Sequence, residues 1–544
     1  MLGLIFFHGS ILLSNQEFAE PRWQAGRIHA AQILAPEAEP LEIPLPVEVF
    51  PRFRVEALLR HAAAWLLLIP AVLLIHGYHP WSDDAAIYIS GLRKMMQPSL
   101  YPGDAAFVLA HTKVSIFSHL LALLASGFRM RLEPLLLLAY LFSAFLFLYA
   151  CRSFALRVFA DEATSWVATL FAAACFTLPV AGTALFIMDP YLSARSFSTP
   201  LSLLAVVAAL DRRWKRVAFW TLLTGIMHPQ MGVYLAGFLV ILALVEYRRW
   251  RSAFALCALA ILGCGAVWLA TLHAPFTAAY REAVLSRTYF FPSLWRWYEW
   301  IGLGAPLLLL ALAWRRTRID SLAREVSAAC VLVGASACIA AFAFVHPQGP
   351  YLLARAQLLR NFQIVYVLGL VLLGGLIGQF FSARRQRWPI VALFVAAAGG
   401  MLFAQVRMYP GSAHLEWPSA APANPWGQAL VWIRNDTPAN AVFAISPVLL
   451  NSPAEDLPGF RALAERSVLV DNKDEGVASI FPEVAPAWKQ RSDAEAGLRR
   501  MTNAERSARL APWHVTWLLL PPADAASLSC PFRDSAVAVC PLQP

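Results

Sequence analysis

Long apolar runs, separated by polar or basic clusters, recur along the chain between residues 62 and 406. Several of these runs reach about twenty residues, which is the length an α-helix needs to cross a bilayer. The pattern predicts an all-α polytopic membrane protein with about eleven spans. The predicted spans are 62–77, 132–151, 164–187, 197–210, 217–247 (two short helices with an outer turn at its centre), 253–273, 300–314, 326–345, 363–381 and 388–406.

Composition and charge support the same assignment. Of the 544 residues, 59% are hydrophobic and only 14% are charged, whereas soluble domains average about half apolar and about a quarter charged. The net charge of +10 gathers at the ends of apolar runs, for example at Arg52, Arg54 and Arg60 before the first span. This placement is typical of membrane orientation, so no nucleic-acid partner is expected. It predicts a multi-pass membrane protein with a cytoplasmic N-terminus and an extracytoplasmic C-terminus.

Changes in composition predict three segments. Residues 1–50, rich in Pro, Ala and Glu, are expected to be a flexible cytoplasmic leader, and residues 51–406 the transmembrane domain. Within it, residues 84–127 are predicted to be interfacial helices on the outer side, because a span there would place Lys113 in the bilayer at a cost of about 2.5–3.5 kcal/mol. Residues 407–544 are expected to form a small extracytoplasmic α/β domain, with "NPWGQALVWIRNDTP" as a helix and "AVFAIS" and "HVTWLLLP" as strands.

Two of the eight cysteines differ from the others. Six lie in or beside apolar runs, where they act as small hydrophobic residues. Cys530 and Cys540 stand in the polar C-terminal segment, in "SCPFRDSAVAVCP". A disulfide between them is expected if that segment faces an oxidising compartment.

Two adjacent acids, Asp83 and Asp84, follow the first predicted span in "HGYHPWSDDAAIYISG". One interpretation is structural: Ser82 and Asp83 cap the helix "DDAAIYISGLRKMM" and face its positive end. The other is chemical, because acids at a helix N-terminus beside a membrane can hold a divalent metal ion or accept a proton. The pattern leaves both open.

A second outer loop, "MDPYLSARS", contains Asp189, Pro190, Tyr191 and Arg195. Asp-Pro is also a common turn former, and Lys113 in the preceding interfacial segment could reach the lipid headgroups. Acids and bases from separate outer loops can nevertheless converge on one pocket. The acids would suit a metal ion or a general base, and Lys113 with Arg195 would suit phosphate oxygens.

The motif "HPQ" occurs twice, at His228 and His346, and His79 precedes a third proline. A zinc site is conceivable, but the spacing matches no metal motif. A proline that ends a span beside a polar histidine, or a histidine that contacts substrate, is the alternative. Arg355 and Arg360, in "YLLARAQLLRN", are predicted to contact either headgroups or an anionic lipid-linked substrate.

The layout of residues 60–544 resembles that of the GT-C superfamily of integral membrane glycosyltransferases. This superfamily includes the protein mannosyltransferases, the oligosaccharyltransferases and the lipid A aminoarabinose transferases. "SDDAAIY" matches its first-loop acid, "HTKVSIFSHLLALLASG" resembles the stretch whose Lys meets the donor phosphate, "MDPYLSARS" resembles the second acidic loop, and "LLTGIMHPQMGVYL" resembles a short helix pair. The chain lacks the Lys-Pro-Pro stretch and the WWD signature of the better-known members. In its "DD…YP…HP" pattern it is more similar to bacterial multi-span proteins, which implies a location in the bacterial inner (cytoplasmic) membrane.

The resemblance implies a donor in which a sugar is linked to polyprenyl phosphate, bound from the membrane lipid phase. The reaction implied is transfer to an acceptor hydroxyl on the outer face, with inversion. Asp84, or else Asp83, would deprotonate the acceptor or hold a metal, and Asp189 would assist. Lys113 and Arg195 would neutralise the leaving lipid phosphate.

Two other functions fit the composition. A transporter or flippase of a lipid-linked or anionic substrate would show internal repeats and acids within its spans. The sequence shows only the repeated HPQ, and most charges lie at the ends of spans. A non-catalytic membrane scaffold, whose outer domain binds a partner, is the third possibility.

Overall fold

A computed structural model of the chain describes residues 52–315, 321–382, 384, 386–450 and 456–542. Contacts divide the chain into two compact units, Met1–Leu58 and Leu59–Pro544. Nearly all of the predicted features therefore fall in the second unit. The predicted leader, residues 1–50, lies outside the described residues.

Helices dominate the chain up to residue 408. In chain order they are α1 (Arg52–His76), α2 (Asp84–Met96), α3 (Ala105–Val108), α4 (Phe117–Phe128), α5 (Leu132–Val158), α6 (Glu162–Ala174), α7 (Ala194–Leu210), α8 (Trp214–Met227), α9 (Pro229–Glu246), α10 (Trp250–Thr271), α11 (Ala278–Leu285), α12 (Trp297–Arg315), α13 (Ser321–Phe344), α14 (Tyr351–Ala356), α15 (Phe362–Ser382) and α16 (Trp388–Met408).

Seven stretches of helix in the described residues are long and apolar enough to cross a membrane. They lie at seven of the predicted spans: Leu132–Val158, Pro229–Glu246, Trp250–Thr271, Trp297–Arg315, Ser321–Phe344, Tyr351–Phe381 and Trp388–Met408. The other four predicted spans correspond to shorter helices, in α1, α6, α7 and α8. The multi-span helical class is therefore confirmed, whereas the count of eleven is not.

The predicted span 164–187 is wrong as a single helix. Helix α6 ends at Ala174, and a two-stranded antiparallel hairpin follows, formed by β1 (Pro179–Val180) and β2 (Leu185–Phe186). Proline lacks the N–H that would continue a helix. Gly182 in the hairpin has φ +64°, and a Cβ there would lie 2.3 Å from a ring carbon of Trp295. The apolar run was long enough for a span, but its Pro and Gly residues fold it into a turn.

Residues 84–127 form no single spanning helix. They fold into α2, the four-residue α3, a 3-10 turn at His111–Lys113 and α4. None of these elements is among the seven helical stretches long and apolar enough to cross a membrane, and the interfacial location of the segment stays a prediction. The break at His228 in the run 217–247 is confirmed, because α8 ends at Met227 and α9 begins at Pro229.

The C-terminal region, residues 409–542, is a mixture of helices and strands. Its helices are α17 (Pro425–Asp436), α18 (Pro447–Leu450), α19 (Phe460–Ala464), α20 (Asp474–Ile480), α21 (Ala485–Glu495) and α22 (Asn503–Leu510). Its strands are β3 (Val442–Ile445), β4 (Ser467–Val468), β5 (Trp517–Leu520), β6 (Phe532–Arg533) and β7 (Ala538–Pro541). The predicted helix is α17, and the two predicted strands are β3 and β5.

One five-stranded sheet organises this region, with strand order β4-β3-β5-β7-β6. Strand β3 runs parallel to β4 and β5, whereas β7 runs antiparallel to β5 and β6. The three residues Phe443, Ala444 and Ile445 of β3 are fully buried, as expected of a central strand. The predicted disulfide is present between Cys530 and Cys540, and it ties β7 to the segment before β6.

Candidate active site

Asp84 is the first residue of α2, and Asp83 precedes it with φ +49° and ψ −132°. Residues other than glycine rarely adopt such angles, which cost about 1–3 kcal/mol. The C-terminal region holds this segment in place, since Ser82 pairs with Pro458 in an isolated bridge and Gly459 N donates to Trp81 O at 3.0 Å. Asp83 forms no side-chain cap on α2. Asp83 thus occupies the N-cap position and Asp84 the first turn, as the structural interpretation expects, but the Asp83 side chain does not make the capping hydrogen bond.

The second acidic loop meets α2 through Arg195, which lies in the first turn of α7. The guanidinium Nη1 donates to Asp84 Oδ2 at 2.6 Å, and Nη2 donates to Asp189 Oδ2 at 3.0 Å. Ser193 Oγ also donates to Asp189 Oδ2, at 2.9 Å. Helix α7 packs between α5 and α8, so this arginine is fixed by the helix bundle. The structure thus brings together three of the predicted residues, Asp84, Asp189 and Arg195.

The two acids that share Arg195 differ in environment. The Asp84 side chain is 31% exposed, whereas that of Asp189 is 2% exposed. Burial raises the pKa of Asp84, but the charge and hydrogen bond of Arg195 outweigh this effect and leave the pKa below its ordinary value. Burial raises the pKa of Asp189 above its ordinary value, although Arg195 opposes the shift. Asp84 is therefore an accessible carboxylate at neutral pH, and Asp189 is a buried support.

Asp83 has its own partners. Tyr191 donates its hydroxyl to Asp83 Oδ2 at 2.8 Å, and Lys473 Nζ donates to Oδ1. Burial lowers the pKa of Lys473 to about 8, while contact with a carboxylate favours the charged form. Lys473 lies 390 residues beyond Asp83, in the turn before α20, and no sequence motif marks it.

Three basic groups surround Asp84 besides Arg195. Arg360 and His111 both favour the charged form of Asp84 and so lower the pKa of its carboxyl. His228 interacts electrostatically with Arg195, Arg360 and Asp84. Burial lowers the pKa of His111 to about 4, so its imidazole is neutral at physiological pH. His228 and Arg360 were predicted site residues, whereas His111 was not singled out.

Arg360 stands where two cavities of the bundle meet. One is a groove between α7, α9 and α15, and the other is lined by residues that include Tyr289, Trp295 and Leu359. The groove is mostly apolar, and Arg360 lines both cavities. Arg360 Nε is buried and has no hydrogen-bond partner among the residues that the structure describes. The groove is lined by Thr199, Ser202, Leu203, Met231, Tyr234, Leu235, Arg360, Asn361, Gln363, Ile364 and Val367.

Other predicted site residues lie apart from Asp84 or have structural partners. Lys113 is exposed at the end of its 3-10 turn and forms no hydrogen bond or ion pair with any described residue. His346 Nε2 bonds to Ala343 O at 3.1 Å at the end of α13. Arg355 Nη1 makes a long contact, 3.5 Å, with Ile480 O. Among the described residues, none of these three side chains contacts Asp84 or Asp189.

The predicted metal sites do not fit the arrangement of the side chains. His79 is buried, bonds Glu416 at 2.9 Å and stacks on Tyr409, so it is committed to a structural role. Asp83 and Asp84 are bound to different partners, and Arg195 occupies the position between the Asp84 and Asp189 carboxylates. In the described part of the chain, no three His, Cys, Asp or Glu residues are grouped so that they could hold a metal ion.

Comparisons with known proteins give matches among solved structures. No family model matches the chain, and no curated protein matches it. Among solved structures, the chain is similar to the archaeal oligosaccharyltransferase AglB from Archaeoglobus fulgidus, which was solved in complex with an inhibitory peptide and a dolichol-phosphate. The identity is 11%, the match covers 84% of this chain and 69% of that chain, and the TM-score is 0.42.

Proposed function

We propose that the chain is a membrane glycosyltransferase that moves a sugar from a polyprenyl-phosphate donor to an acceptor hydroxyl on the outer face of the membrane. One observation carries the proposal. The accessible carboxylate of Asp84 lies within electrostatic range of Arg360, a buried arginine that lines an apolar groove in the helix bundle. The carboxylate suits an acceptor hydroxyl as its proton acceptor, the arginine suits the phosphate of the donor, and the apolar groove suits the lipid chain of the donor.

Asp84 is the group we assign as general base. Its Oδ2 accepts from Arg195, and its Oδ1 accepts no hydrogen bond from the described residues. An acceptor hydroxyl placed against Oδ1 would give its proton to the carboxylate as its oxygen attacks the anomeric carbon. The bond from that carbon to the phosphate oxygen breaks at the same time, and the polyprenyl phosphate leaves with the electron pair. Attack from the face opposite the phosphate inverts the anomeric centre.

Asp83 is a weaker candidate for this role. Both of its oxygens are occupied, Oδ2 by the Tyr191 hydroxyl and Oδ1 by Lys473. A carboxylate that accepts two donors is a poorer proton acceptor than one with a free oxygen. We therefore assign Asp83 a positioning role, in which it fixes the start of α2 and hence the direction of Asp84.

The phosphate is assigned to Arg360 in preference to Arg195. Both Nη groups of Arg195 already bind acids, and only its Nε lacks a partner among the described residues. Arg360 also has a buried Nε without a described partner, and in addition it lines the apolar groove and the second cavity. A charged donor in a site from which water is excluded can lower a barrier by several kcal/mol when charge develops on the leaving group. Lys113 is exposed two residues from His111, and its predicted contact with the phosphate remains a proposal.

Lipids that copurify with the protein test this assignment. The protein would be purified in mild detergent and its lipids identified by mass spectrometry, for the wild type, Arg360→Ala and the control Arg131→Ala. Arg131 is a matched control because its side chain is 86% exposed. We expect a polyprenyl phosphate or its glycoside with the wild type and the control, and its loss with Arg360→Ala. Bulk phospholipid alone in all three would contradict the proposal.

A further inference from the structure

We infer that Arg195 does in this site what a divalent cation does in a metal-dependent transferase. It joins the two carboxylates that come from separate loops and neutralises part of their charge, so that transfer requires no metal ion. The inference deepens the proposed function, because it concerns how the assigned base Asp84 is held.

The geometry of the bridge supports this role. One guanidinium contacts two acids, with Nη1 at 2.6 Å from Asp84 Oδ2 and Nη2 at 3.0 Å from Asp189 Oδ2. Both distances lie within about 0.1 Å of the range typical of charge-assisted hydrogen bonds between a guanidinium and a carboxylate. The acids lie on different elements, α2 and the loop before α7, so the bridge fixes one segment against the other.

The guanidinium also fills the space that a shared cation would take. The side chains of Arg195 and Asp189 are 5% and 2% exposed, and Asp189 Oδ2 receives a further hydrogen bond from Ser193. Calcium takes six to eight oxygen ligands, and magnesium demands near-octahedral geometry. The next carboxylate, Asp83, is bound by Tyr191 and Lys473. Among the described residues, a cation here would therefore have only Asp84 and Asp189 as ligands, with waters completing its shell, and both acids already bind Arg195.

The charge balance distinguishes an arginine from a metal ion. Two carboxylates and one guanidinium leave one net negative charge, whereas a divalent ion would cancel both. The remaining charge keeps Asp84 able to accept a proton. An arginine does not lose its proton in proteins, and no chelator removes it. The bridge therefore persists wherever the protein is folded.

Manganese binding tests the inference without any sugar donor. Free Mn²⁺ would be measured by electron paramagnetic resonance during titration of the full-length protein in detergent. The variants are wild type, Arg195→Ala, Arg195→Lys and Arg195→Ala/Asp189→Asn. Removing the guanidinium leaves Asp84 and Asp189 facing each other, so we expect Arg195→Ala to bind Mn²⁺ about tenfold or more tighter than wild type. Arg195→Lys and the double variant should behave like wild type.

Two results would overturn the inference. In the first, the wild type binds Mn²⁺ and Asp84→Asn abolishes the binding, which would place a cation where the arginine lies. In the second, Arg195→Ala gives the wild-type elution profile in gel filtration but gains no Mn²⁺ affinity. If Arg195→Ala does not fold, thermal unfolding of the wild type with and without EDTA decides the question, because a metal-held site loses stability in the chelator. Failure of the transfer assay alone would count against the proposed function and leave this result standing.

Discussion

Lys473 of the C-terminal region contacts the carboxylate of Asp83, the residue that immediately precedes the assigned base Asp84. The pair joins segments 390 residues apart and lies beside the bridge between Ser82 and Pro458. The C-terminal region is therefore part of the structure that directs the acids. Changes in the C-terminal region that disturb these contacts are therefore expected to affect the site.

Loss of Lys473 should destabilise this contact. Lys473→Met leaves a partly buried carboxylate without its cation, which costs about 1–3 kcal/mol. We expect a lower thermal unfolding midpoint and slower transfer. Lys489→Met serves as the control, because its ion pairs with Glu282 and Asp493 are exposed and contribute little. Equal midpoints for Lys473→Met, Lys489→Met and wild type would show that the contact has no stabilising role.

Gly459 tests how closely the C-terminal region approaches α2. A Cβ at Gly459 would lie 2.2 Å from the Cβ of Ala86. The backbone of Gly459 has φ −63° and ψ 130°, which any residue can adopt, so Gly459→Ala tests space alone. We expect a loss of about 1–3 kcal/mol from overpacking and reduced transfer. Gly304→Ala, where no atom lies within 4 Å of the added Cβ, should lower neither stability nor transfer. A Gly459→Ala variant with wild-type stability and transfer would contradict the packing.

The buried carboxyl of Glu495 should make the free energy of unfolding depend on pH. It is buried at the end of α21, where Ile445 N donates to its Oε1 at 2.9 Å, and burial raises its pKa well above the ordinary value. The folded chain holds this proton to a higher pH than the unfolded chain, so the stability from the protonated form is lost as pH rises through the folded pKa.

Removing this charge should therefore help at high pH. A tenfold difference in proton affinity between the folded and unfolded chains corresponds to about 1.4 kcal/mol. We expect Glu495→Gln to be more stable than wild type by about 1 kcal/mol or more near pH 8, with a smaller difference near pH 5. Thermal unfolding at both values measures this, with the exposed Glu483→Gln as the control. A Glu495→Gln variant equally destabilised at both pH values would show that the charged form is the native one.

Sequence patterns predicted much of the fold because they depend on local physics. The helix break at His228 follows from the proline after it, and the strands β3 and β5 follow from short apolar runs between turn residues. The span predicted at 164–187 is wrong because hydropathy does not register helix-breaking residues. Pro179 and Gly182 fold this apolar run into a hairpin.

The candidate site was only partly predictable. The acids and Arg195 stand out because charges beside apolar runs are conspicuous, and the structure brings Asp84, Asp189 and Arg195 together. Lys473 could not have been identified from the sequence, because it lies in a polar segment where a lysine is as expected on the surface as in a functional site. Its contact with Asp83 arises from long-range packing between α2 and the turn before α20.

Asp84→Asn tests the central claim most directly, in a transfer assay with a labelled polyprenyl-phosphate sugar and membrane extract as the source of acceptor. The account predicts a loss of about 10²–10⁴-fold in rate with an unchanged thermal unfolding midpoint. Asp493→Asn, an exposed acid in an ion pair with Lys489, should retain the wild-type rate. Wild-type transfer by Asp84→Asn would contradict the assignment of the base. The absence of transfer by the wild type, together with movement of the labelled lipid across the membrane of proteoliposomes, would instead indicate a flippase.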